Sequence, residues 1–272
     1  MSKKKKKKSG GRILSTIILI IALCGLGYSG YHLAKYAWQT WQTNKTRDQV
    51  AGLISGQDET AIEDSDEAMR KAMMKKYGKL YKQNKDFIGW LKVENTGIDN
   101  PVMFTPDDGL NGQFYLRKNF YKNYDIAGTM FVDNRNVLDP AKGVSTNTII
   151  YGHRMKNDTM FGPLKHYKDS AYAKEHDDIQ FDTLYRPGRY KMFAVILSEA
   201  KTVVSEDEFV YYDFIDADSE KEFDKDIASI KAESIYYDDK NAPSYGDELL
   251  TLSTCDYYKE NGRLALIAKR VD

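Results

Sequence analysis

The sequence has few of the residues that staple small scaffolds together: two cysteines, Cys24 and Cys255, and four histidines in 272 residues. Two thiols exclude a disulfide framework and a zinc site of four thiolates, leaving one bridge as the arithmetic maximum. Cys24 falls inside an apolar run, which argues against even that bridge. No internal repeat and no metal-binding cluster is evident. Beyond its start the chain is also short of positive charge. Lys and Arg total 40 and Asp and Glu total 40, but the first twelve residues hold seven bases (Lys3 to Lys8 and Arg12) and no acid. The remainder therefore carries 33 bases against 40 acids, which argues against a nucleic-acid-binding role for the folded part. What is present is apolar mass: 42% hydrophobic and 12% aromatic residues suffice for a sizeable core.

The longest uncharged stretch runs from Ile13 to Leu33 and includes Ile17, Ile18, Leu19, Ile20, Ile21, Leu23 and Leu26. As a helix of about 21 residues it spans roughly 31 Å, the thickness of a bilayer core. The preceding lysines predict a cytoplasmic N-terminus and export of everything after the span. Tyr36, Trp38 and Trp41 are suited to the interface beyond it. A cleaved secretory signal shares the basic start and apolar middle, but it needs a small-residue cleavage site, and no good one is present. The expected organisation is a basic tail (1–12), a single-pass anchor in the cell membrane (13–35), a stalk (36–66) and an extracellular folded domain (67–272).

Within that domain, Met69, Met73, Tyr77, Leu80 and Tyr81 recur at spacings of three and four, predicting a helix over about Glu67–Gln83. Short β-rich runs follow at Phe87–Val93, Pro101–Phe104, Thr129–Val132, Thr148–Tyr151, Ile179–Phe181, Tyr190–Leu197, Leu249–Ser253 and Leu264–Val271. Eight strands with few helices between them predict a mainly β fold, a closed or nearly closed barrel. Ser219 and Glu222 have the form of a capping box, so a helix is expected from there to about Ser234, inside the long connection before the Leu249 strand. Long ordered connections often shape a binding site.

Chemistry points to two strand ends. His153 follows Ile149, Ile150, Tyr151 and Gly152, and Cys255 ends the run Leu249 to Thr254, so each sits where a buried strand emerges into a loop. Arg263 opens the next strand. If the strands on either side of residues 256–262 pair antiparallel, Cys255 and Arg263 share one rim. Thiol catalysis needs a nucleophile, a proton carrier and donors for an oxyanion, roles these three side chains could fill. Singly each has an ordinary structural explanation; the combination is what points to catalysis.

The run Thr251-Leu252-Ser253-Thr254-Cys255, Arg263 eight positions later, Tyr151-Gly152-His153-Arg154-Met155 and Met160-Phe161-Gly162 together resemble the sortases, class B in particular. Phe87-Ile88-Gly89-Trp90-Leu91, Asn100-Pro101-Val102 and Phe131-Val132-Asp133-Asn134-Arg135-Asn136 extend the resemblance over about Asp86 to Val271. It implies an eight-stranded sortase-type barrel with an N-terminal helix and a helix in the long loop before the Cys strand. It also implies a cysteine transpeptidase without a cofactor or metal, which cleaves a sorting motif of secreted proteins after Thr through a thioacyl-enzyme. The acyl group then passes to an amine of a peptidoglycan precursor or a pilin. In that reading Cys255 is the nucleophile, His153 the acid and base, and Arg263 the oxyanion and substrate donor, while Leu116, Tyr151, Ser253 and Asp256 contact the peptide. A peptidase releasing the acyl group to water and a noncatalytic anchored binding module are the alternatives.

Overall fold

The computed structural model describes residues 9–56, 65–106, 109–110, 112–201 and 208–272. The chain divides into two compact units, Met1–Asn44 and Lys45–Asp272. The first belongs to a helix, α1 (Ser9–Ala51), whose Ile13–Ala51 portion is long and apolar enough to cross a membrane by length and composition.

In the second unit, α2 (Asp66–Gln83) begins where Ser65 accepts a hydrogen bond from the amide of Ala68 at 3.3 Å, with Asp66 and Glu67 in its first turn and Lys82 in its last. Acids at the start and a base at the end both suit the helix dipole. Met73, Tyr77 and Leu80 form its buried face. The stretch expected to be a stalk behaves differently. α1 stays helical through Ala51, and Val50, Ala51, Leu53 and Ile54 pack into the same apolar cluster as α2. These few apolar side chains, too closely spaced to give a periodic signal, are enough to dock one turn of chain. The acidic residues from 57 to 64 lie outside the described residues.

Nine strands follow: β1 (Phe87–Val93), β2 (Ile98–Met103), β3 (Met130–Val132), β4 (Asn147–Tyr151), β5 (Asp178–Thr183), β6 (Arg189–Glu199), β7 (Ser234–Tyr237), β8 (Leu249–Cys255) and β9 (Gly262–Arg270). Eight of them close into a barrel in the order β5-β1-β2-β3-β4-β8-β9-β6, with β6 returning to β5. The ninth, β7, is not part of the ring. β5 pairs with Arg189–Lys191 of β6, and β7 takes the rest of that edge at Ala194–Ile196. The eight expected strands are therefore the barrel strands, each within a few residues of its expected range.

Alternation sorts the side chains. Leu91, Val93, Ile150, Leu250, Leu252, Leu264 and Leu266 fill the barrel. Phe87 and Trp90 turn outward to α2, and a bulge between Phe87 and Gly89 lets Ile88 face inward out of step. A third apolar cluster lies outside β6 and β9, under α4 (Glu220–Glu233) and the segment containing Tyr211 and Phe214. α4 starts as expected at Ser219, which accepts from the amide of Glu222. The Glu222 carboxylate reaches back to the amide of Asp218 at 3.0 Å, one residue earlier than a standard capping box.

Candidate active site

Strand pairing alone sets the geometry of the chemistry. β4 and β8 run parallel with Tyr151 opposite Ser253, so His153 and Cys255 each stand two residues beyond that pair at the same end of the barrel. β8 and β9 run antiparallel with Cys255 directly opposite Arg263. Facing residues in such a pair have Cβ atoms about 5 Å apart. Leu252 and Leu264 point into the barrel, so Cys255 and Arg263 lie on the outer face. The structure thus brings the three expected catalytic residues to three adjacent strand ends.

The Cys255 thiol is free and exposed. His153 is held from three sides. Thr254 donates to the carbonyl of Gly152 at 2.7 Å, the Phe161 amide donates to the His153 carbonyl at 2.9 Å, and Nε2 lies 2.9 Å from the Leu116 carbonyl. A carbonyl only accepts, so Nε2 carries a proton in this contact, and Nδ1 is the nitrogen left for proton exchange. Burial depresses the His153 pKa, and the nearby charge of Arg117 lowers it further; the Leu116 carbonyl opposes both. The imidazole is accordingly biased toward its neutral form. Gly152 is required by close approach: a Cβ there would stand 2.6 Å from the ring of buried Phe161.

Arg263 forms no ion pair among the described residues; Nη1 donates to the carbonyls of Asn261 and Gly262 at 3.2 and 3.0 Å. The loop between Cys255 and Arg263 is closed by the Asp256 amide donating to the Gly262 carbonyl at 2.8 Å. That amide is therefore engaged, which leaves the guanidinium as the mobile donor beside the thiol.

The peptide-contact expectations fare unevenly. Leu116 is partly exposed, but its carbonyl rather than its side chain meets His153. Tyr151 is half-buried, and its hydroxyl donates to Asp133 at 2.9 Å. Ser253 is 1% exposed and Asp256 2%, so neither faces a passing peptide, contrary to expectation. The Ser253 hydroxyl pairs with that of Tyr211 at 2.7 Å. Asp256 instead joins two loops: it accepts from Arg154 at 2.8 Å and from Lys168 at 2.6 Å, and caps the amide of Tyr258 at 2.9 Å. Its wholly buried carboxylate could not remain charged there without those partners. Arg154 lies beside His153 in the sequence, a visible signal; Lys168 and Tyr211 come from distant segments and give none. Among the described residues no group of three or more His, Cys, Asp or Glu is arranged to hold a metal ion.

Comparison with known proteins agrees with this geometry. A sortase domain model matches residues 91–271. Sortase B of Staphylococcus aureus is 31% identical over 192 residues, covering 70% of this chain and 72% of that protein. Sortase B of Listeria monocytogenes is 31% identical over 194 residues, covering 71% of this chain and 72% of that protein. Among solved structures, sortase B of Bacillus anthracis superposes with a TM-score of 0.67 at 28% identity, covering 86% of this chain and 99% of that one. A Staphylococcus aureus sortase B–substrate complex gives 0.62 at 28% identity, covering 75% and 92%. The chain belongs to the sortase family of cysteine transpeptidases, and its relatives within that family are sortase B proteins.

Proposed function

We propose that this chain is a membrane-anchored transpeptidase that attaches secreted proteins, cut after Thr in a C-terminal sorting motif, to an amine of the cell wall or of a pilin. Cys255 attacks the Thr carbonyl carbon, and the negative charge that develops on its oxygen is met by the Arg263 guanidinium. The peptide C–N bond then breaks. His153, having taken the thiol proton, gives it to the departing amine, leaving a thioester. An incoming amine attacks that thioester, its proton passes to His153, and sulfur leaves to regenerate the enzyme. Bringing the nucleophile, proton carrier and cation together on adjacent strands removes most of the orientational cost of the step.

The single observation that carries the reading is the register: Tyr151 opposite Ser253 and Cys255 opposite Arg263, with the thiol exposed. Structures of the Staphylococcus aureus enzyme with a substrate and with a glycine tripeptide support an extended peptide and a primary amine as the two partners. The apolar helix within Ile13–Ala51 supports the anchor, and the preceding lysines support a cytoplasmic N-terminus with the catalytic unit outside. Tethering of this kind raises the effective concentration near membrane-held precursors.

The test is mass spectrometry of the full chain in detergent, incubated with a peptide library bearing Thr at the cleavage position, with and without a glycine tripeptide. A thioacyl adduct on Cys255 and an amine-dependent ligated product are expected. Products that form at the same yield without the amine, and no ligated species, would make the chain a hydrolase instead.

A further inference from the structure

The Phe131–Asn136 stretch belongs to the family pattern yet supplies none of the three reacting groups. Its turn is rigid. The Arg135 amide donates to Asp133 Oδ1 at 3.0 Å, the Asp133 amide to the Ile149 carbonyl at 2.9 Å, and Asn136 Nδ2 to the Asn147 carbonyl at 2.8 Å. From this turn Arg135 grips Asp133 through two nitrogens, Nε at 2.9 Å and Nη2 at 2.8 Å. The same guanidinium donates through Nη2 to the Tyr212 carbonyl and through Nη1 to Asp213 at 2.9 Å. The Asp133 carboxylate also accepts from the Tyr151 hydroxyl at 2.9 Å.

The two ends of this chain of contacts reach opposite sides of the thiol strand. Tyr151 stands two residues before His153 on β4. Tyr211, next to the gripped Tyr212 carbonyl, holds Ser253 two residues before Cys255 on β8. We infer that Asp133 and Arg135 are positioning residues that fix the spacing between Tyr151 and the Tyr211–Tyr212 segment, and so set the width of the cleft an extended peptide must enter. This rests on the function proposed above.

Magnitudes separate the parts of the strut. The Asp213 carboxylate is 56% exposed, so its ion pair is screened and adds little. Asp133 is 7% exposed and held by a fork of two bonds, the stronger kind of pair. The strut therefore runs Tyr151–Asp133–Arg135–Tyr212 carbonyl, and Asp213 serves as an internal control.

The test measures peptide acylation by the full chain in detergent for wild type, Arg135→Gln, Arg135→Lys and Asp213→Asn, together with iodoacetamide alkylation of Cys255 followed by mass spectrometry. Arg135→Gln is expected to raise KM about tenfold with kcat and the alkylation rate within twofold; Arg135→Lys recovers part of the loss, and Asp213→Asn stays within twofold. A wild-type KM in Arg135→Gln overturns the inference, as does a parallel fall of kcat, KM performance and alkylation, the signature of a merely weakened fold. Should Arg135→Gln not fold, Tyr151→Phe, which removes one hydroxyl, is expected to raise KM about threefold at constant kcat, and an unchanged KM there overturns it equally. If the wild-type chain itself forms no thioacyl product, the inference falls with the functional reading; an active wild type with an insensitive Arg135 sinks the inference alone.

Discussion

At the scale of single residues, His153 is tuned by what lies over it. Burial comes first, and Arg117 next, in holding its pKa below that of a free imidazole. Removing the guanidinium lowers the cost of protonating the ring while leaving it buried, so Arg117→Gln should raise the His153 midpoint part of the way back. Following the His153 Cε1 proton by NMR through a pH titration checks this; an unmoved or lower midpoint refutes it. The same shift has a consequence for stability. Its folded pKa is depressed, so as pH falls below the unfolded value of about 6.5 the unfolded chain takes up a proton that the folded one resists. The stability this neutral histidine provides is intact at neutral pH and is lost as pH falls toward and through the folded pKa. His153→Gln should therefore flatten the stability profile between about pH 7 and 5 in chemical denaturation. The three reacting side chains were legible in the sequence because strand-end positions can be read from where apolar runs stop. The Leu116 carbonyl over His153 was not, since a backbone acceptor supplied from 37 residues away leaves no mark in residue type.

At the scale of elements, the site depends on two loops being held together. Asp256, just past the nucleophile, binds Arg154, just past the imidazole, and also Lys168 from the 3₁₀ turn Gly162–Lys168. Truncating a buried partner of such a cluster leaves the cations uncompensated; with Lys168 partly solvated, Asp256→Ala should cost about 3 kcal/mol. Urea unfolding at pH 7 measures it, and a loss below about 1 kcal/mol would mean the cluster is no more than a surface ion pair. Gly152→Ala is expected to be destabilising too, and to slow Cys255 acylation, because Phe161 is walled in and cannot yield to the new methyl group. A wild-type acylation rate would show that the loop adapts. The eight barrel strands were readable because Gly, Pro, Asn and Asp bound most of them. β7 was missed for the converse reason: Ser234 closes α4 and opens the strand at once, so no turn residue divides Ile235 to Tyr237 from the helix. The burial of Ser253 and Asp256 was also invisible, because polar side chains flanking a nucleophile look the same in sequence whether they face a ligand or a distant partner such as Tyr211 or Lys168.

At the scale of the whole molecule, the question is where the independently stable unit begins. Sequence periodicity suggests residue 67, whereas the compact unit starts at Lys45, and Val50 is 0% exposed among Met73, Tyr77 and Leu80. The chain is also pinned there by the Ser55 amide donating to the Lys76 carbonyl at 3.1 Å. Fully burying an aliphatic side chain contributes about 1.5–3 kcal/mol, so losing Val50 together with its partly buried neighbours Leu53 and Ile54 should cost about 3 kcal/mol. For a domain of this size each kcal/mol moves Tm by roughly 2–4 °C. A protein of residues 45–272 should therefore retain cooperative unfolding and thioacyl formation, one of residues 67–272 should melt about 10 °C lower, and Val50→Ala in the longer form should fall between them. Differential scanning calorimetry of the three decides it. Coincident melting of the two truncations would mean that the Val50 to Ile54 segment rests on the domain without stabilising it, and that the catalytic unit is complete from α2 onward.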